Sequence, residues 1–119
     1  MMKTHKDLKV WAKSIDLVTF IYKETKSFPK SELYGLTSQI RRSAVSVPSN
    51  IAEGAARTSK KEFVYFLSIS LGSISELETQ LIISKNLNFI TNDVFDKLEN
   101  EIISIRKMIL GLKKSINRK

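Results

Sequence analysis

Residues 31–57 read SELYGLTSQIRRSAVSVPSNIAEGAAR. Within them Leu33, Leu36, Ile40, Ala44, Val47, Ile51 and Ala55 recur at steps of three or four, the period of one face of an α-helix. A second line, Gln39, Ser43, Ser46, Asn50, Glu53 and Arg57, steps the same way, with Arg41 and Arg42 at its flank. Solvated helix faces are usually coated with Lys and Glu. This line carries amides, hydroxyls and arginines instead, and it reads as a contact surface. Pro48 falls inside the segment, where a proline removes one N–H, crowds the carbonyl four residues back and costs about 3 kcal/mol. Both lines keep phase across it. The pattern therefore predicts one helix over about 31–57, kinked at Pro48.

The flanking segments are helical too. A first helix is expected over about 7–27, with Asp7 as its N-cap and Phe28-Pro29 ending it. Leu8, Trp11, Ile15, Val18 and Tyr22 form its main apolar line, and Val10, Leu17, Phe20 and Ile21 lie outside that line. A third helix is expected over about 60–87, opened by a Ser59–Glu62 capping box. Its core line is Phe63, Leu67, Ser70, Ile74, Leu77 and Leu81, and Asn86 and Asn88 suit a C-terminal cap. A fourth, over about 92–116, follows Thr91 or Asn92 and is lined by Phe95, Leu98, Ile102, Ile105, Ile109, Leu112 and Ile116. Four helices with short connections predict an all-α, antiparallel up-down-up-down four-helix bundle, a single domain over 1–119.

At 119 residues with 42% apolar and 27% charged side chains, the chain can bury a core unaided. It has no cysteine, which excludes disulfides and thiolate chemistry and fits a reducing, cytoplasmic setting. No apolar run approaches the ~18 residues of a membrane span, and the N-terminus lacks the pattern of a signal peptide. The formal net charge is +8. The excess avoids residues 58–88, where Lys60, Lys61 and Lys85 are balanced by Glu62, Glu76 and Glu78. A basic domain is drawn to phosphate polymers and to acidic surfaces.

The side chains argue against catalysis. His5 is the one histidine and reads as a solvated residue of the N-terminal tail. Without cysteine or a second histidine the chain assembles neither a conventional zinc site nor a Ser-His triad, and Glu-x-x-His motifs for a di-metal centre are missing. No cofactor or metal is expected. Arg41, Arg42 and Arg57, with Gln39, Asn50, Glu53, Glu76 and Glu78, read as a polar network, either within the protomer or across a subunit interface. Leu17, Phe20, Ile103 and Leu110 are surplus to the main core lines and read as apolar contacts between subunits. Lys6, Lys9 and Lys13, together with Lys3, crowd the start of the first helix. Lys60 and Lys61 start the third, and Lys113, Lys114 and Arg118, with Lys119, end the fourth. An up-down bundle brings these to one end. No aromatic platform is interleaved with them, so contact with RNA or DNA through them would be phosphate-directed.

Three segments carry a family resemblance: DLKVWAKSIDLV at 7–18, FPKSELYGLTSQIRRSAVSVPSNIAEGAAR at 28–57 and EFVYFLSISLGSISELETQL at 62–81. The chain resembles the bacterial four helix bundle proteins encoded by intervening sequences within 23S ribosomal RNA genes, often labelled S23 ribosomal protein. Lys6 stands where the family usually has phenylalanine. The resemblance implies a four-helix bundle with no established enzymatic activity. It also implies similarity to the accessory variability determinant of diversity-generating retroelements, a basic, ring-forming homopentamer that associates with a reverse transcriptase and nucleic acid. The S23 label reflects gene location.

Residues and resemblance together lead to a non-enzymatic, homo-oligomeric basic adaptor, pentameric by the resemblance, that contacts RNA or DNA. The alternative is a protein-interaction scaffold with an acidic protein partner and no nucleic-acid role. No membrane association is expected.

Overall fold

The structure is a computed structural model that describes residues 4–118; Lys3 and Lys119 lie outside the described residues. Its helices are α1 (Lys9–Thr25), α2 (Leu36–Ala55), α3 (Lys60–Asn86) and α4 (Asn92–Arg118), with short 3-10 turns at His5–Asp7 and Lys30–Glu32. Among the described residues there is no strand. Each helix packs on its sequence neighbours, and α4 closes back on α1. This is the expected antiparallel bundle.

Several ends differ from the sequence reading. Asp7 does not cap α1: its carboxylate accepts from the Thr4 N–H (3.1 Å), closing a capping box around the first 3-10 turn. Leu8 takes the N-cap position of α1 without a side-chain bond. His5 is half-buried in that turn, its ring edge-on to Trp11 at 5.0 Å, so it is not a solvated tail residue. Residues 30–32 form a 3-10 turn, and α2 begins only at Leu36 after Gly35. Ser59 accepts from the Glu62 N–H (3.2 Å), while the Glu62 carboxylate turns to Arg57 and leaves the reciprocal arm of the box unmade. At the other end of α3, Asn88 adopts φ 62°. Its N–H donates to Lys85 O and the Phe89 N–H to Ser84 O, the paired bonds of a Schellman cap.

Pro48 lies inside α2, buried, and the helix continues through it. Ile40, Ala44, Val47 and Ile51 are fully buried, as their spacing requires. Across from them Ser70 donates to the Val47 carbonyl at 2.9 Å, tying α3 to the turn that carries the proline. Contact between α2 and α3 is the most extensive in the bundle. A Cβ placed on Gly54 would stand 2.9 Å from Phe66 Cβ and 3.0 Å from Phe63 Cδ1.

On α1 the core face is not the one the apolar count selects. Val10, Ser14, Leu17, Ile21 and Thr25 are buried, whereas Ile15 and Tyr22 are exposed. Two hydroxyls interrupt this buried line and are silenced locally: Ser14 Oγ donates to Trp11 O and Thr25 Oγ1 to Ile21 O, both at 2.7 Å. Hydroxyls satisfied by their own helix enter a core at little cost. Trp11, Ile15 and Val18 line a cleft with Val45, Pro48 and Ala52 of α2. Leu17 is 1% exposed and belongs to the core, so it is withdrawn as a contact between subunits.

Candidate interaction surfaces

The contact line of α2 meets α3 in a polar seam. Ser43 Oγ donates to Glu76 Oε1 at 2.5 Å, and Ser46 Oγ shares a hydrogen with Ser73 Oγ at 2.7 Å. Asn50 Nδ2 donates to both the carbonyl (2.8 Å) and the hydroxyl (2.9 Å) of Ser46. Above these bonds runs an open groove of about 680 Å³, lined among others by Gln39, Arg42, Glu76, Gln80 and Ile83. Gln39 and Arg42 are exposed, and Arg42 makes no ion pair among the described residues. Gln80 is 8% exposed and its Oε1 has no hydrogen-bond partner among the described residues.

The other members of the predicted network are dispersed. Arg41 turns away from the groove toward α1, where Nε donates to Thr25 Oγ1 (2.9 Å) and the guanidinium lies 4.7 Å over the Tyr22 ring. Arg57 gathers Glu53 (2.8 Å) and Glu62 (3.3 Å) and stacks over Phe66, holding the α2–α3 connection. Its carboxylate partners are about half exposed, so the pairs act as a local clamp worth little in net stability. Glu78 does not reach α2; it accepts from Arg106 of α4 at 2.9 Å.

Sequence reasoning missed Arg106 and Glu99, which complete this α3–α4 cluster. A hydrogen bond from Glu99 to Glu78, aided by burial and the neighbouring charge, pushes the Glu99 carboxyl up to about 7 against the attraction of Arg106 and Lys85. The same hydrogen bond, with help from Arg106, holds Glu78 below the usual carboxylate range although burial opposes it. The two carboxyls thus share one proton near neutrality. Glu99 follows Leu98 on the polar side of α4, and only the stagger of α3 against α4 reveals that Glu78 faces it.

The lysines are also redistributed. Lys13 is committed to Glu101 at 3.1 Å. Because Glu101 lies near the middle of α4, and His5 reaches Val45 and Ser49 in the middle of α2, the beginning of α1 is set back from the end of the bundle. Lys6 and Lys9 are exposed on that setback, apart from Lys60, Lys61, Lys113, Lys114 and Arg118 at the tip. Apart from Lys13, none of these cations is ion-paired among the described residues.

Of the expected apolar contacts, Phe20 is half-buried in the α1–α4 cleft, while Ile103 (39%) and Leu110 (49%) are exposed one above the other on α4. The structure adds Tyr65 (61%) and Ile82 and Ile83 (43% each) on α3 and Leu87 (53%) at its C-cap. No group of three or more potential ligands among the described residues could hold a metal ion. No helix among them is long and apolar enough to cross a membrane.

No curated protein matches the chain. It is similar to the crystal structure of a protein of unknown function from the S23 ribosomal protein family of Bacteroides thetaiotaomicron. The TM-score is 0.79 at 26% identity, over 88% of this chain and 98% of that one. The model of the 23S rRNA-intervening sequence protein family matches residues 6–111, nearly the whole of the bundle from its first turn to about three quarters of the way along the last helix. The chain belongs to the 23S rRNA-intervening sequence protein family.

Proposed function

We propose that this chain is a non-enzymatic, cytoplasmic adaptor that assembles with copies of itself, as a pentamer by the family resemblance, and contacts RNA or DNA through phosphate-directed electrostatics. The observation that carries the reading is the tip formed by Lys60, Lys61, Lys113, Lys114 and Arg118, cations without carboxylate partners among the described residues. Three cations elsewhere, Lys13, Arg57 and Arg106, each hold a glutamate. Lys6 and Lys9 extend the positive surface along the side. Lys13, already paired, contributes least.

Assembly is supported by the exposed pair Ile103 and Leu110, and by the groove whose exposed Gln39 and Arg42 stand beside Glu76. A ring would repeat the basic tip around one rim and multiply its field. By the same family analogy a reverse transcriptase is a possible protein partner.

The test is binding of a short labelled RNA and a matching DNA duplex across a salt series. Affinity that falls linearly on a log–log plot supports the reading, and the slope counts the phosphates neutralised. Absence of binding to either at ~50 mM salt overturns it and favours the scaffold for an acidic protein.

A further inference from the structure

The opposite end of the bundle holds a small pocket of about 220 Å³ between the last turn of α1 and the first turns of α2. Thr25, Lys26, Lys30, Thr37 and Arg41 contribute to its lining, and Phe28 supplies an apolar wall. Three of these are cations, and no acidic side chain lines the pocket. The acids nearest in sequence are Glu24 and Glu32. Neither lines it, and Glu32 is engaged by the Leu36 N–H at 3.3 Å.

Arg41 is held there on two sides. Its Nε donates to Thr25 Oγ1, whose own hydrogen goes to Ile21 O, and its plane rests on Tyr22. The terminal nitrogens of the guanidinium have no hydrogen-bond or ion-pair partner among the described residues. A half-buried guanidinium with its fork unused is suited to a bidentate oxyanion. Thr37 is 2% exposed and its Oγ1 has no hydrogen-bond partner among the described residues. A hydroxyl kept from water and left unbonded is destabilising, a cost that a ligand accepting its hydrogen would remove.

We propose that this pocket binds a phosphate-type oxyanion, with the Arg41 fork and the Thr37 hydroxyl as its donors and Lys26 and Lys30 supplying the remaining charge. Two adjacent cations beyond the guanidinium favour a dianionic phosphate over a singly charged carboxylate. The site lies at the end away from the basic tip, uses different residues, and stands whether or not the tip binds nucleic acid.

The experiment is a titration of the isotope-labelled full chain with inorganic phosphate at constant ionic strength, followed by NMR at the Arg41 Nε–H and the Thr37 amide, with sodium chloride as the reference salt. Saturable displacement of both signals by phosphate but not chloride is expected. Arg41→Lys keeps the charge and removes the fork; Thr37→Val keeps the shape and removes the hydroxyl. Each should raise the Kd about tenfold or more, while Lys60→Glu with Lys61→Glu should leave it unchanged. Adenosine 5′-monophosphate and dimethyl phosphate separate the sources. Preference for the monoester assigns the pocket to free phosphate groups, and equal binding of the diester assigns it to a nucleic-acid backbone. Displacement that is linear in concentration, equal with chloride, or unchanged in both variants overturns the proposal.

Discussion

Gly54→Ala tests whether α2 and α3 are held at their observed separation by a missing side chain. The new Cβ would meet Phe66 Cβ at 2.9 Å, Phe63 Cδ1 at 3.0 Å and the Phe63 carbonyl at 3.2 Å. Carbon atoms prefer about 3.5–4.0 Å. The Phe63 ring can turn, but Phe66 Cβ and the Phe63 carbonyl are fixed to the backbone of α3. Relief therefore requires the helices to part by roughly half an ångström at this point. Overpacking of this kind costs about 1–3 kcal/mol. Alanine returns up to ~1 kcal/mol of helix propensity, and less in the last turn of a helix, where Gly54 stands. The balance is a loss of about 1–2 kcal/mol, or a fall in Tm of about 4–8 °C for a domain of this size. Gly72→Ala is the control, since nothing lies within 4 Å of its would-be Cβ. In an isolated protomer it should gain up to ~1 kcal/mol. Calorimetry on both variants decides. If Gly54→Ala is neutral or stabilising, the argument that the missing side chain at Gly54 sets the α2–α3 distance is wrong.

Three further outcomes are expected. Glu99 has its folded pKa raised to about 7 from 4.5, so its contribution to stability is complete below about pH 4.5 and is lost as pH rises through 7. Glu78, shifted down, contributes in the opposite sense at lower pH. Between pH 5 and 8 the Glu99 effect should lower stability, by an amount that solvent screening of this partly exposed pair reduces, and Glu99→Gln should flatten that part of a Tm-versus-pH curve; an unaltered slope would count against the shared proton. Ser70→Ala should cost about 1 kcal/mol in chemical denaturation through the lost bond to Val47 O, and no change would show that the bond does not secure the proline turn. Leu110→Glu should leave the fold intact by circular dichroism and shift sedimentation toward monomer, whereas an unchanged sedimentation profile would remove the α4 face from the assembly reading.

The fold was legible because its main signals are periodic. In α2, α3 and α4 the predicted apolar lines are largely the buried ones, and Pro48 proved compatible with one continuous helix. The failure on α1 has a definite cause. Its buried line contains Ser14 and Thr25, whose hydroxyls bond back to their own helix, so counting apolar residues selected the neighbouring line of Leu8, Trp11 and Ile15. Leu17 was displaced from core to surface by the same error. A helix that touches partners on both sides is apolar over a wide arc, and sequence alone does not say which edge of the arc faces the centre.

The surfaces were less legible for a different reason. Residue type can nominate an arginine as a network member, but its partner is decided by the rotation and stagger of the neighbouring helix. Arg41 and Arg42 are adjacent in sequence and differ by about 100° around the axis. One is carried to Thr25 and Tyr22 beneath the end of α1, the other to the rim of the groove beside Glu76. The setback of α1 likewise separates lysines that topology alone placed together, leaving Lys13 on Glu101 and the tip cations without ion pairs among the described residues. The consequence is a molecule with two positive regions of unlike construction. At the tip four of the five cations, all but the half-buried Lys113, are exposed side chains on long stems, which suit a polymer met in many orientations. At the far end a single guanidinium is fixed by a hydroxyl and an aromatic ring beside a hydroxyl with no hydrogen-bond partner among the described residues, an arrangement that suits one small anion held in one orientation.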